Sequence, residues 1–146
     1  MNNNNIWGNL NFSESEEESA YNLLLSQSEQ LIVATSGELK MEVEAIDSFL
    51  DIDPPKPVAL YMLYVVAPNL GNFRRKILTV VEGKEEIRFP VDIYCHIDDK
   101  KEENISKEAF LDTITRILAK PLVKISIENL YRQSKEYTRS RAGEKK

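Results

Sequence analysis

Between Leu39 and Ala45 the chain alternates without a break: Leu39, Met41, Val43 and Ala45 are apolar, while Lys40, Glu42 and Glu44 are charged. A period of two places these sets on opposite sides of a β-strand, one side dry and one wet. The segment before it has the other period. Tyr21, Leu24, Leu25, Ser28, Leu31, Ile32 and Thr35 recur at helical spacing, and Gly37 follows as a stop. Ser15 stands three residues before Glu18, the spacing of a capping box, and Glu16, Glu17 and Glu18 put negative charge at the positive end of the helix dipole. The pattern predicts a helix over about 16–36, its apolar stripe broad enough to cover a sheet, and then a strand.

"DSFLDIDPPKP" breaks the alternation, and Pro54, Pro55 and Pro57 mark it as a connection. "VALYMLYVVA" is apolar on both faces, so it predicts a strand covered above and below, or covered on one side by a second copy. "PNLGN" turns the chain, with Gly71 and the asparagines able to take positive φ. "FRRKILTVVE" predicts a third strand, "EGKE" a second turn, and "IRFPVDIYCHI" a fourth strand with Ile87, Phe89, Val91, Ile93, Cys95 and Ile97 inward. Pro90 cannot donate to a ladder and points to an edge or a bulge. "DDKKEEN" reads as a solvated loop.

Ser106 then fits an N-cap, with Ile105 and Phe110 at the staple positions, and Phe110, Leu111, Ile114, Ile117 and Leu118 give a helical stripe. Pro121 ends that helix and fits the first turn of a third one, although Val123, Ile125 and Ile127 also alternate as a short strand would. Together the elements predict an α+β fold, a four-stranded, mostly antiparallel meander covered by two or three helices. The single domain spans 13–138, between a flexible arm at 1–12 and a basic flexible tail at 139–146.

Charge changes the picture in one respect. The net charge is −5, which argues against a chain whose main task is to neutralise phosphates. Residues 1–57 hold eleven acids and two bases, and 58–146 hold 13 acids and 17 bases, so the two parts differ in sign. Cys95 stands alone, which fits a reducing cytoplasm, and no apolar run reaches the length of a membrane span.

Chemistry-bearing groups are sparse. His96 is the only histidine, and Cys95 beside it on a strand would face the other way, so no Cys–His pair or His/Cys metal site forms. Asp98, Asp99, Glu102 and Glu103 lack the spacing of a calcium loop, and no glycine-rich phosphate loop or nucleophile elbow is present. No cofactor or metal is therefore expected.

Three candidate surfaces remain. Trp7, in an arm with Ile6, Leu10 and Phe12, and the hairpin bases Arg74, Arg75 and Lys76 have the character of a protein interface. The same bases, with Phe73 and the tail bases Arg139, Arg141, Lys145 and Lys146, would track nucleic acid, but neighbouring strand residues alternate faces and the trio is not one patch. Arg88, Asp92, Tyr94 and His96 share the outer side of the fourth strand, where His96 helped by Asp92 or a cross-strand neighbour would be a general acid or base. The expected role is a non-enzymatic protein-interaction module of accessory, inhibitor or immunity type. Its expected partner is another protein, with a homo-oligomer contact through the second strand also open. Nucleic-acid binding is the first alternative, and a small-molecule site or enzyme on the fourth strand is the second.

Overall fold

A computed structural model of the chain describes residues 19–84 and 89–144, with side chains through Arg141. In chain order the elements are α1 (Ala20–Ala34), β1 (Lys40–Leu50), β2 (Lys56–Ala67), a short 3-10 turn (Pro68–Leu70), β3 (Phe73–Gly83), β4 (Val91–Cys95), β5 (Lys100–Ile105), α2 (Lys107–Leu118) and α3 (Pro121–Glu144). The strands pair in sequence order, each antiparallel to the next. The fold is α+β as expected, with five strands where four were predicted. Among the described residues no helix is long and apolar enough to cross a membrane.

The additional strand is the run read as a loop. Four of the six residues of β5 are charged, so no apolar alternation announces it. It is held by backbone pairing to β4, and the Asp92 carboxylate accepts the Asn104 N–H at 3.0 Å. Asp99 and Asn104 take positive φ, at 59° and 57°, which lets the chain turn into β5 and kink near its end. β4 is shorter than expected, and because β5 pairs with it, it is not an edge. Pro90 stands just before it, outside the ladder. Ile87 and the remainder of the turn after Gly83 lie outside the described residues.

β1 runs five residues beyond the clean alternation, to Leu50. In its first half one face is buried and the pattern shows it. In its second half neither face is covered, so no selection for alternation operates there. β2 is buried on both faces, as its composition predicts, and the bulge opposite Leu63 and Tyr64 turns both Ile77 and Leu78 of β3 into the core.

All three helices contribute to one core with one face of the sheet. Leu24 of α1, Phe110, Ile114 and Ile117 of α2, and Val123 and Leu130 of α3 pack with Leu63, Val65, Leu78, Val80 and Ile93. Burial of a ring such as Phe110 contributes about 1.5–3 kcal/mol. The cap at Ser106 forms as expected, accepting the Ala109 N–H at 3.2 Å, and Ile105 and Phe110 join the same cluster. Residues 121–127 are helical, with Pro121 leading α3. That helix continues to Glu144, through residues expected to form a tail.

α1 departs from expectation at its start and in its face. Ser19 caps it, accepting the Asn22 N–H at 3.1 Å; the Ser15–Glu18 box lies outside the described residues. At the other end Ser36 and Gly37 both have positive φ, and their N–H groups return to Val33 and Ile32, closing the last turn. Leu25 and Ile32 are exposed, so the stripe is narrower than predicted. The reason is that α1 lies along the edge of β1. Ser28 Oγ donates to the Met41 carbonyl at 3.2 Å and accepts the Met41 N–H at 3.1 Å, and Thr35 Oγ1, whose own hydrogen reaches back to the Leu31 carbonyl at 2.8 Å, accepts the Leu39 N–H at 3.0 Å. These hydroxyls replace the neighbouring strand that an edge lacks.

A buried carboxylate fastens α3. Glu38, just before β1, accepts from the amide of Asn69 at 2.9 Å and from the fully buried Ser134 hydroxyl. The Ser134 bond first, then the Asn69 bond and the Lys135 ammonium, hold the Glu38 carboxyl below the ordinary glutamate range against the opposing effect of burial. One side chain thus joins the entry to β1, the 3-10 turn and α3.

Two outcomes are expected. Ser28→Ala leaves both backbone groups of Met41 without partners and lowers stability by about 1–3 kcal/mol in urea unfolding, whereas Ser26→Ala, on the exposed side, changes it by less than about 0.5 kcal/mol. Because the folded pKa of Glu38 lies below its unfolded value, the stabilisation is fully present above the unfolded value and disappears as pH falls through the folded one. The stability advantage of the natural chain over Glu38→Gln should therefore be constant near neutrality and shrink once pH falls below about 4.3.

Candidate interaction surface

The second face of the sheet carries most of the polar residues singled out by sequence. Strand alternation places Arg74 and Lys76 there, across from Val66 and Tyr64, and sends the exposed Arg75 to the other side. The Arg74 guanidinium lies 3.9 Å from the Tyr64 ring centroid and 3.1 Å from the Glu44 carboxylate, reaching over β2 to β1. Lys76 Nζ lies 5.8 Å from the same ring. Tyr64 is buried beside Met62 and Val66 in a cluster separate from the main core. Arg74 is thus occupied within the fold.

Farther along this face, Thr79 Oγ1 and His96 Nε2 are 2.7 Å apart, and the His96 ring meets Tyr94 edge-on at 4.7 Å. His96 sits in the turn after β4, with its N–H on the Ile77 carbonyl at 2.8 Å. Although the residue is exposed, its ring is packed against the sheet on one side. Partial loss of water first, and the Lys76 ammonium second, hold its pKa below the ordinary imidazole value.

Asp92 does not reach this group. Four residues along an extended chain put it about 13 Å away, where it accepts from Asn104 and stands 3.9 Å from Lys101. The cross-strand neighbour Thr79, rather than Asp92, touches the imidazole. Arg88 and Trp7 lie outside the described residues.

The acidic run of the β4–β5 turn is likewise engaged in holding the fold. Asp98 pairs with Lys120 at 2.9 Å and Glu102 with Arg116 of α2. Among the described residues no group of three or more potential ligands gathers at metal-binding distance. A cleft of about 360 Å³ opens at the end of the second face, lined by Leu50, Val58, Val81, Phe89 and Pro90 with Lys56, Asp92 and Asn104. Its size is at the low end for small-ligand sites.

The surface that sequence reasoning missed is the free half of β1. Ser28 and Thr35 show that the backbone of Leu39 and Met41 points away from β2. By the period of two, Val43, Ala45, Asp47 and Phe49 point the same way. Among the described residues nothing bonds their outward groups. Beside them Ile46, Phe49, Leu50 and Ile52 are 42, 68, 37 and 54 % exposed. Apolar residues ahead of a proline cluster were the available signal, hidden because Ile46, Phe49 and Leu50 do not keep one phase.

Comparison with protein-family models, curated proteins and solved structures finds no significant match to this chain.

As the only histidine, His96 can be followed alone by NMR. Its titration midpoint should lie below that of a free imidazole, and Lys76→Gln should move it upward by removing a neighbouring positive charge. An unchanged midpoint in Lys76→Gln would place the ammonium away from the ring.

Proposed function

We propose that this chain acts by binding another protein, as an accessory, inhibitor or immunity-type module, and that the contact runs along the exposed half of β1. The observation that carries this reading is the coincidence of two unsatisfied features in one short stretch. Backbone groups with no strand beside them among the described residues adjoin apolar side chains left in water. Singly exposed apolar residues are ordinary, but a cluster on an open strand edge is a contact surface or an aggregation hazard.

A specific observation also supports nucleic-acid binding as a second reading. Beyond Ser134 every α3 residue through Arg141 is exposed, and Lys135, Arg139 and Arg141 there outnumber Glu136. The hairpin bases add less to it, since Arg74 is paired and Arg75 faces the other side.

One experiment separates the readings. The tagged chain, Ile46→Lys and Phe49→Asp are used to capture partners from lysate of the native host, with and without nuclease. The interface reading expects one stoichiometric protein that survives nuclease and falls about tenfold or more with either variant, as for central interface residues. Retention unchanged by both variants removes β1 as the contact, and retention lost to nuclease moves the function to the exposed end of α3.

A further inference from the structure

The two edges of this sheet are treated differently. β5 is six residues long, carries Lys100, Lys101, Glu102 and Glu103, and is kinked at Asn104, all features that discourage pairing. β1 is 11 residues long. Its first part is sealed by the hydroxyls of α1, and Pro54, Pro55 and Pro57 close the far end. Between these stops lies an open ladder of about 24 Å, from Val43 to Leu50. No proline or lysine interrupts it.

Charge narrows what fits. From Met41 to Pro55 the chain has five acids, Glu42, Glu44, Asp47, Asp51 and Asp53, and no base. Lys40, Arg74 and Lys84 partly answer the first three, while Asp51 and Asp53 have no ion pair among the described residues. A second copy paired edge to edge would set this base-free segment against itself, in a chain already at −5. Like charges across a strand pair are destabilising, and opposite charges are favourable.

We infer that β1 receives an extended segment of a partner protein as a sixth strand, and that this segment combines apolar residues, set against Ile46 and Phe49, with lysine or arginine. The inference rests on the interface reading above. Main-chain bonds to Val43, Ala45, Asp47 and Phe49 supply affinity, and the acids select the sequence. Recognition is therefore by backbone shape plus charge, which needs no deep pocket.

The probe is a fluorescein-labelled ten-residue peptide alternating valine and lysine, compared with one alternating valine and glutamate, on the full chain. Anisotropy should show the lysine peptide binding at least tenfold more tightly, with affinity falling as salt rises. Ala45→Pro removes an outward N–H without touching the β1–β2 ladder and should weaken binding about tenfold. The double variant Asp51→Lys, Asp53→Lys, outside the strand, should weaken it several-fold and covers the case that Ala45→Pro does not fold. Hydrogen exchange should slow at the N–H groups of Ala45, Asp47 and Phe49 but not at Ile46 or Ser48.

Equal binding of both peptides, or slowed exchange without this alternation, overturns the inference. So does a sedimentation mass showing a dimer that the lysine peptide fails to dissociate. If the peptide fails while Phe49→Asp still abolishes partner capture, the interface stands and strand addition is wrong. If neither Phe49→Asp nor Ile46→Lys affects capture, both readings fall.

Discussion

A backbone N–H or C=O removed from water must find a partner, and an open antiparallel sheet meets that demand everywhere except along its two outer strands. The position of α1 follows from this constraint. A helix with Ser28 and Thr35 seven residues apart presents two hydroxyls on one side, and they bond alternate residues of the chain entering β1. The helix is consequently drawn to the edge rather than across the sheet, leaving α2 and α3 to supply most of the remaining helical cover. Where the hydroxyls end, the open ladder begins. The candidate interface is the part of one edge that the described residues do not satisfy among themselves.

The buried Glu38 clamp has a related logic. A charge removed from water is costly unless its bonds are replaced, and Ser134 and Asn69 replace them. The clamp also marks where α3 leaves the body of the protein: Ser134 is fully buried, and the residues after it through Arg141 are exposed. Ion pairs such as Arg74–Glu44 and Lys84–Asp47 are different in kind. They reach over β2 between exposed side chains, so their contribution to stability is small. Their effect is on the electrostatic character of β1, partly offsetting its acids while Asp51 and Asp53 keep theirs.

The charge asymmetry between the two parts of the chain acquires a spatial meaning here. Five described acids of the first part, Glu42, Glu44, Asp47, Asp51 and Asp53, lie along β1 and its following loop, and six bases of the second lie on β3 and the exposed end of α3. The two readings of function correspond to these two places, one acidic and apolar, the other basic and helical. The His96 group is a third place, where a neutral-leaning imidazole meets a hydroxyl and an aromatic edge with no carboxylate in contact among the described residues.

Much of this was legible in residue order. Alternation from Leu39 to Val43, the two-faced apolar run of β2, the Ser106 cap with its staple and the turn at Gly71 and Asn72 are local consequences of backbone period and side-chain chemistry, and each appears as expected, whereas Ala45, read as facing inward, is exposed. The opposite facing of Arg74 and Arg75 is equally local. What was not legible depends on partners distant in sequence. β5 exists because β4 offers it a ladder, although its own residues are too charged to show a period. The second half of β1 forms because β2 continues beside it, although neither of its faces is covered. Ser28 and Thr35 read as members of a packing stripe, and only the approach of β1 turns them into its hydrogen-bond partners. Sequence alone determined where the chain extends, coils and turns outside β5 and the second half of β1, because those choices rest on near neighbours. The tertiary structure alone decided which part of the β1 edge is sealed and which is open among the described residues, because a backbone group's partner is set by what the fold brings beside it.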